Sequence, residues 1–99
     1  MILQNKNAII YVAGGSLGGA VAKSFAKAGA RAFLTGRRLP SIKKTAEEIL
    51  SSGGKAEVDI VDALDKNAIQ DHLEKVLQKA GTVDISFNAI GVEVKQNIP

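Results

Sequence analysis

The sequence has 99 residues, 45% hydrophobic and 23% charged, with a net charge of +3 and no cysteine. That length allows one small domain, the balance is that of a globular chain, and disulfide or thiolate chemistry is excluded. No apolar run approaches the roughly eighteen residues of a membrane span, and the cations are dispersed among acids, which argues against a nucleic-acid surface.

Met1 to Asn7 is followed by an apolar stretch only a strand long, so no signal-peptide pattern is read there and the cytoplasm is the expected compartment. That stretch, Ala8–Val12, suits one buried strand. Glycines are dense behind it, at Gly14, Gly15, Gly18 and Gly19. A first helix is expected over Leu17–Ala28, with Leu17, Val21, Phe25 and Ala28 on one face, stopping at Gly29. A second apolar run, Ala32–Thr35, ends in Gly36, Arg37 and Arg38. The second helix begins near Ser41, behind Pro40, with Ile42, Ala46 and Ile49 inward, and closes at Gly53-Gly54. Ala56–Val61 reads as a third strand. Asp65 suits an N-cap for a third helix, in which Ile69, Leu73, Val76, Leu77 and Ala80 repeat at helical spacing up to Gly81. Asp84–Asn88 is the fourth strand, followed by Ala89, Ile90 and Gly91. Strands separated by helices imply a parallel sheet with right-handed crossovers.

Strand, glycine turn, helix and strand within about thirty residues form a unit suited to a dinucleotide pyrophosphate. A helix N-terminus offers unpaired N–H groups and a positive dipole end, and glycines let backbone close on a phosphate without Cβ atoms in the way. About twenty residues past the first glycine, an NAD binder carries an Asp or Glu for the ribose 2′-hydroxyl. Here that place is Gly36, with Arg37 and Arg38 next and no carboxylate between Gly29 and Glu47. An acid would repel a 2′-phosphate, whereas a guanidinium pairs with it through two hydrogen bonds. NADP is therefore favoured over NAD. A phosphate-binding ATPase loop is a poor fit, because no Gly-Lys-Ser/Thr follows the glycines.

Three ordered landmarks now give a resemblance over nearly the whole chain. They are the glycine motif from Ala13 to Ala20, Asp59 with Ile60, Val61 and Asp62 behind it, and Asn88-Ala89-Ile90-Gly91. In this order and spacing the sequence resembles the N-terminal, nucleotide-binding half of a short-chain dehydrogenase/reductase. The resemblance implies an α/β, Rossmann-like three-layer fold with a truncated parallel sheet of four strands in order 3-2-1-4, residues 1–99 forming one partial domain. It implies Gly14, Ser16, Gly18 and Gly19 at the pyrophosphate, Leu17 closing over it, and Arg37 on the 2′-phosphate with Arg38 in support. Asp59 and Ile60 would meet the adenine, and Asn88 and Gly91 the ribose and nicotinamide side. Four positions depart from the family pattern: Ala13 for Thr, Gly19 for Ile, Ala20 for Gly and Ala89 for Asn.

The same resemblance implies hydride transfer through a Tyr with a Lys four residues later, and a Ser. The only tyrosine is Tyr11, with Gly15 four residues on, inside the first strand. The catalytic acid is therefore expected from residues this chain does not contain, as in a fragment or truncated product. The fourth strand should be an edge with apolar Ile85 and Phe87, so association with a second copy is expected, through that edge or the tail 92–99. An alternative function is a non-catalytic module that binds a nucleotide weakly or serves as an assembly surface. Arg37 and Arg38 could instead line a solvated loop. His72 reads as a surface helix residue, Tyr11 and Phe87 as core, and Lys43-Lys44 as a solvated face.

Overall fold

The computed structural model describes residues 2–11 and 15–88. In chain order these form β1 (Asn7–Tyr11), α1 (Ser16–Lys27), β2 (Arg31–Gly36), α2 (Leu39–Ser51), β3 (Lys55–Ile60), α3 (Lys66–Ala80) and β4 (Ile85–Asn88). The strands make one parallel sheet in the order β3-β2-β1-β4, the arrangement that the sequence predicts. β1 and β2 lie inside it, and β1 is buried along its whole length. That is why both strands read as continuous apolar runs rather than alternating ones.

Alternation along the strands builds two cores. Ala8, Ile10, Ala32 and Leu34 pack with α1 and α2 on one side, while Ile9, Tyr11 and Phe33 pack with Val76 of α3 on the other. Ile9, Ile10, Leu34 and Ile42 are the large side chains that leave water almost completely, each burial contributing about 1.5–3 kcal/mol. This is the three-layer arrangement, with α3 the one helix on the second face among the described residues.

The buried side of α1 corrects the sequence reading. Gly18, Gly19, Ala22 and Ala26 are buried there, whereas Leu17, Val21, Phe25 and Ala28 are only half-buried. Small residues let the helix axis approach the sheet closely, and the larger ones flank that contact; Phe25 packs against its margin. α2 uses the expected Ile42, Ala46 and Ile49 and adds Thr45. It starts at Leu39, two residues earlier than expected, because Pro40 sits in the first turn, where its missing N–H costs nothing. α3 begins at the expected cap: Asp65 Oδ1 accepts from the amides of Asn67 at 2.9 Å and Ala68 at 3.2 Å. Leu77, expected inward, is 41% exposed.

Gly36 ends β2 with its Cα against α2. A Cβ built there would lie 2.7 Å from Cγ2 of Ile42, a fully buried residue, so the close approach requires glycine. At the other end of the sheet a polar latch joins β1 to the start of β4. The Asn7 amide donates to Asp84 Oδ2 at 2.8 Å, its Nδ2 donates to the Thr82 carbonyl at 3.1 Å, and the Asp84 amide donates to the Asn7 carbonyl at 2.9 Å. Asp84, expected as the first residue of the strand, instead fastens its beginning.

Candidate functional site

All parallel strands of such a sheet deliver their connections to one edge, beyond the carboxyl ends. The register aligns Tyr11 with Asn88, Thr35 with Asp59, and Gly36 with Ile60. The described candidates Ser16, Leu17, Gly18, Gly19, Arg37, Arg38, Asp59, Ile60 and Asn88 therefore gather on that edge. Gly14 and Gly91 lie outside the described residues.

At the centre stands the N-terminus of α1. Gly15 is its N-cap in an extended conformation, with no side-chain cap and no acid in the first turn. The Gly19 amide donates to the Gly15 carbonyl at 2.8 Å, which leaves the amides of Ser16, Leu17 and Gly18 without an intrahelical partner. Ser16 is exposed at the tip, and Gly18 and Gly19 lie buried behind it. The helix thus presents donors and a positive dipole end to any anion placed beyond β1.

One strand over, the Gly36 carbonyl accepts the Val61 amide at 3.0 Å, tying the ends of β2 and β3 together. Arg37 and the N-cap residue Arg38 follow, both exposed. Among the described residues neither forms a salt bridge. Ile60, 54% exposed at the end of β3, offers an apolar surface beside them.

Asp59 is the penultimate residue of β3 and faces α3. Lys75 Nζ lies 3.2 Å from its Oδ1 and 3.3 Å from its Oδ2, and His72 Nε2 lies 3.5 Å from Oδ2. His72 corrects the sequence reading, since its side chain is only 4% exposed. Spacing carried the signal: position 72 lies three after Ile69 and four before Val76, on the buried stripe of α3. Its imidazole is held below the usual histidine range, because burial disfavours the cation more than Asp59 favours it. Nδ1 is buried without a hydrogen-bond partner among the described residues.

A second charged group fastens α3 lower on β3. Glu57 pairs with Arg31 of β2 and Lys79 of α3. Burial alone would raise its carboxyl, but the two cations together hold it below the ordinary range. Tyr11, the last residue of β1, is 5% exposed; burial pushes its phenol up, and a hydrogen bond to Ser86 opposes that only in part. It is a core residue, as expected from its place in the strand.

A cleft of about 510 Å³ lies at the opposite end of the molecule, lined by Gln4, Lys23, Lys27, Gly29, Glu48 and Gly53 among others. There α1 and α2 end, so the backbone groups facing it are carbonyls carrying the negative dipole ends. The electrostatics of this cleft are wrong for a diphosphate.

The family model described as short chain dehydrogenase matches residues 6–99. The chain belongs to the short-chain dehydrogenase family. Among the relatives of this short-chain dehydrogenase chain, an uncharacterized oxidoreductase of Bacillus subtilis, YxbG, is 34% identical over 92% of this chain and 33% of its own length. A short chain dehydrogenase of Pseudocercospora fijiensis is 39% identical over 91% of this chain and 29% of its own. The chain thus spans about a third of the length of these curated relatives. Among solved structures, a metagenomic short-chain oxidoreductase in complex with NADP superposes with a TM-score of 0.83 at 29% identity, covering 87% of this chain and 39% of that one. A putative D-mannonate oxidoreductase of Haemophilus influenza with bound NAD gives 0.77 at 34% identity, covering 85% and 30%. The short-chain dehydrogenase fold accounts for the sheet order and for the gathering of the candidates on one edge.

Proposed function

We propose that this chain is the nucleotide-binding portion of an NADP-dependent short-chain oxidoreductase. The observation that carries the reading is the pairing of an uncapped, acid-free N-terminus of α1 with two exposed arginines after β2. Amides of Ser16, Leu17 and Gly18 would hold the pyrophosphate; Gly19, buried one residue further on, keeps the helix close beneath it. Arg37, with Arg38, would take the 2′-phosphate, for which no competing carboxylate stands at the end of β2. Asp59 would accept from the exocyclic amine of adenine, and Ile60 would rest against the ring. Asn88, at the end of β4, would border the ribose and nicotinamide side, with Gly14 and Gly91 completing the set proposed from sequence. When bound, the nicotinamide would supply or accept hydride at a carbonyl or hydroxyl carbon. The proton that such chemistry needs at oxygen would come from a side chain outside this sequence, since Tyr11 is buried in β1.

Calorimetric titration with NADPH and NADH tests the reading. NADPH should bind at least tenfold more tightly, about 1.4 kcal/mol; equal affinities would remove the NADP assignment.

The other reading, a non-catalytic module that binds a nucleotide weakly or serves as an assembly surface, is favoured in its second form by β4. Among the described residues this strand is an edge, its Ile85 and Phe87 are only partly buried against the first core, and open strand edges recruit strands. Light scattering at rising concentration should then show dimers; a clean monomer would exclude it.

A further inference from the structure

We propose that α3 is an acid-released cover: uptake of a proton by His72 frees the helix as one unit and bares the face of Ile9, Tyr11 and Phe33, while the first core stays folded. The helices hold the sheet unequally. α1, with 12 residues, and α2, with 13, each bury four of them, and Lys23 of one pairs with Glu48 of the other at 2.8 Å. α3 is the longest helix among the described residues, at 15, yet it buries only His72 and Val76. Ile69, Leu73 and Ala80 reach the second core partly exposed. One of the two anchors of α3 is therefore a side chain that can become a cation.

The chain on either side of this helix is fastened independently of it. Before it, the Val61 amide donates to the Gly36 carbonyl at 3.0 Å. After it, Asn7 of β1 holds Thr82 and Asp84. The segment 62–81 can therefore leave without drawing β3 or β4 out of the sheet, which is the property of a local cooperative unit.

His72 Nε2 lies 3.5 Å from Asp59 Oδ2, and a neutral ring that donates there carries only a lone pair on Nδ1. Protonation puts an N–H on that buried nitrogen, which has no partner among the described residues, and a buried donor without an acceptor is costly. In the released helix the same ring is hydrated, so the proton favours release. The groups packed around the ring are already engaged. On β3, Asp59 is shared with Lys75 at 3.2 Å, and Glu57 is held by Arg31 of β2 and Lys79 of α3. On β1, burial keeps the Tyr11 phenol neutral, and it is bonded to Ser86. In the connection before α3, Asp62 accepts the Leu64 amide and Asp65 caps the helix. On α3 itself, Asp71 and Glu74 lie on the exposed side.

Hydrogen exchange at single backbone amides, followed between about pH 8 and pH 5 where histidine is the side chain that titrates, tests the release without any ligand. His72 is the sole histidine. After correction for intrinsic exchange, protection over Lys66–Ala80 should lie at least about tenfold below that of α1 and α2 at every pH. It should also fall by up to about tenfold for each pH unit below 6.5, the value the ring regains in the released helix. Equal protection in the three helices, the mark of global unfolding alone, would overturn the local unit, and protection over α3 that is independent of pH would overturn the trigger. The native chain decides both points, so neither depends on a variant that folds. His72→Leu fills the site without a titrating group and His72→Gln removes the charge but keeps a polar end; in each, the pH dependence over α3 should vanish. A dependence as steep as the native one in these variants would take the role away from His72.

Discussion

Arg37 carries the choice between the two nicotinamide dinucleotides in this account, because it is the first cation beyond the end of β2 and no acid competes with it. Arg37→Asp should weaken NADPH binding by about 1.5–3 kcal/mol, the worth of charge-assisted hydrogen bonds to one phosphate, or one to two decades in affinity. Titration with unchanged affinity would remove Arg37 from the site. Gly36, one residue earlier, is a structural requirement. Gly36→Ala should lower stability by about 1–3 kcal/mol through overpacking against Ile42, read as a shift of the urea midpoint at constant slope. The place of Arg37, exposed just past the end of β2, was legible from the apolar run and its offset to the glycines, since a strand end fixes where the next side chain emerges. His72 was not, because its polarity suggested a solvated face while its spacing placed it inward.

At the scale of elements, α3 is the helix attached by charge as well as by apolar contact. Its start depends on Asp65, and Asp65→Ala should cost about 1 kcal/mol of stability, measurable as a lower unfolding midpoint. Its seat on β3 depends on Glu57 and on neutral His72, and both make it acid-sensitive with signs that can be worked out. A histidine held below its ordinary 6.5 takes up its proton in the unfolded chain first, so stability is lost as pH falls below that value. A carboxyl held below its ordinary 4.5 contributes stability that is full above that value and lost as pH falls through the folded one. Urea midpoints should therefore begin to decline below pH 6.5 and decline again below 4.5; a curve flat down to 4.5 would contradict a buried neutral His72. Element types and most boundaries were legible because hydrophobic period changes sharply at each glycine. The inner face of α1 was misread for a physical reason: large apolar residues mark burial in most helices, but here closeness to the sheet selects Gly18, Ala22 and Ala26, and the bulky side chains are displaced to the flanks.

For the whole molecule, the sheet order β3-β2-β1-β4 leaves β3 and β4 as the edges among the described residues, with different characters. β3 is fringed by Glu57, Asp59 and their cations, which discourages pairing with another strand. β4 carries Ile85 and Phe87, partly buried against the first core. That contrast was partly legible, since alternating acids in Glu57-Val58-Asp59 mark a strand with one polar face. The end of the molecule proposed to receive a ligand was legible in the glycine turn before α1, although a cleft also lies at the opposite end. The deciding physics is the common direction of the helices, all of which point their N-termini toward the carboxyl edge of a parallel sheet.

The most direct measurement is a map of backbone amide shifts on titration with NADPH. Shifts should concentrate at Ser16, Leu17, Gly18, Gly19 and Arg37, with a smaller set at Asp59 and Ile60. Shifts confined to Lys23, Gly29 and Gly53 around the opposite cleft, or no shifts with saturating NADPH, would contradict a phosphate seat at the start of α1.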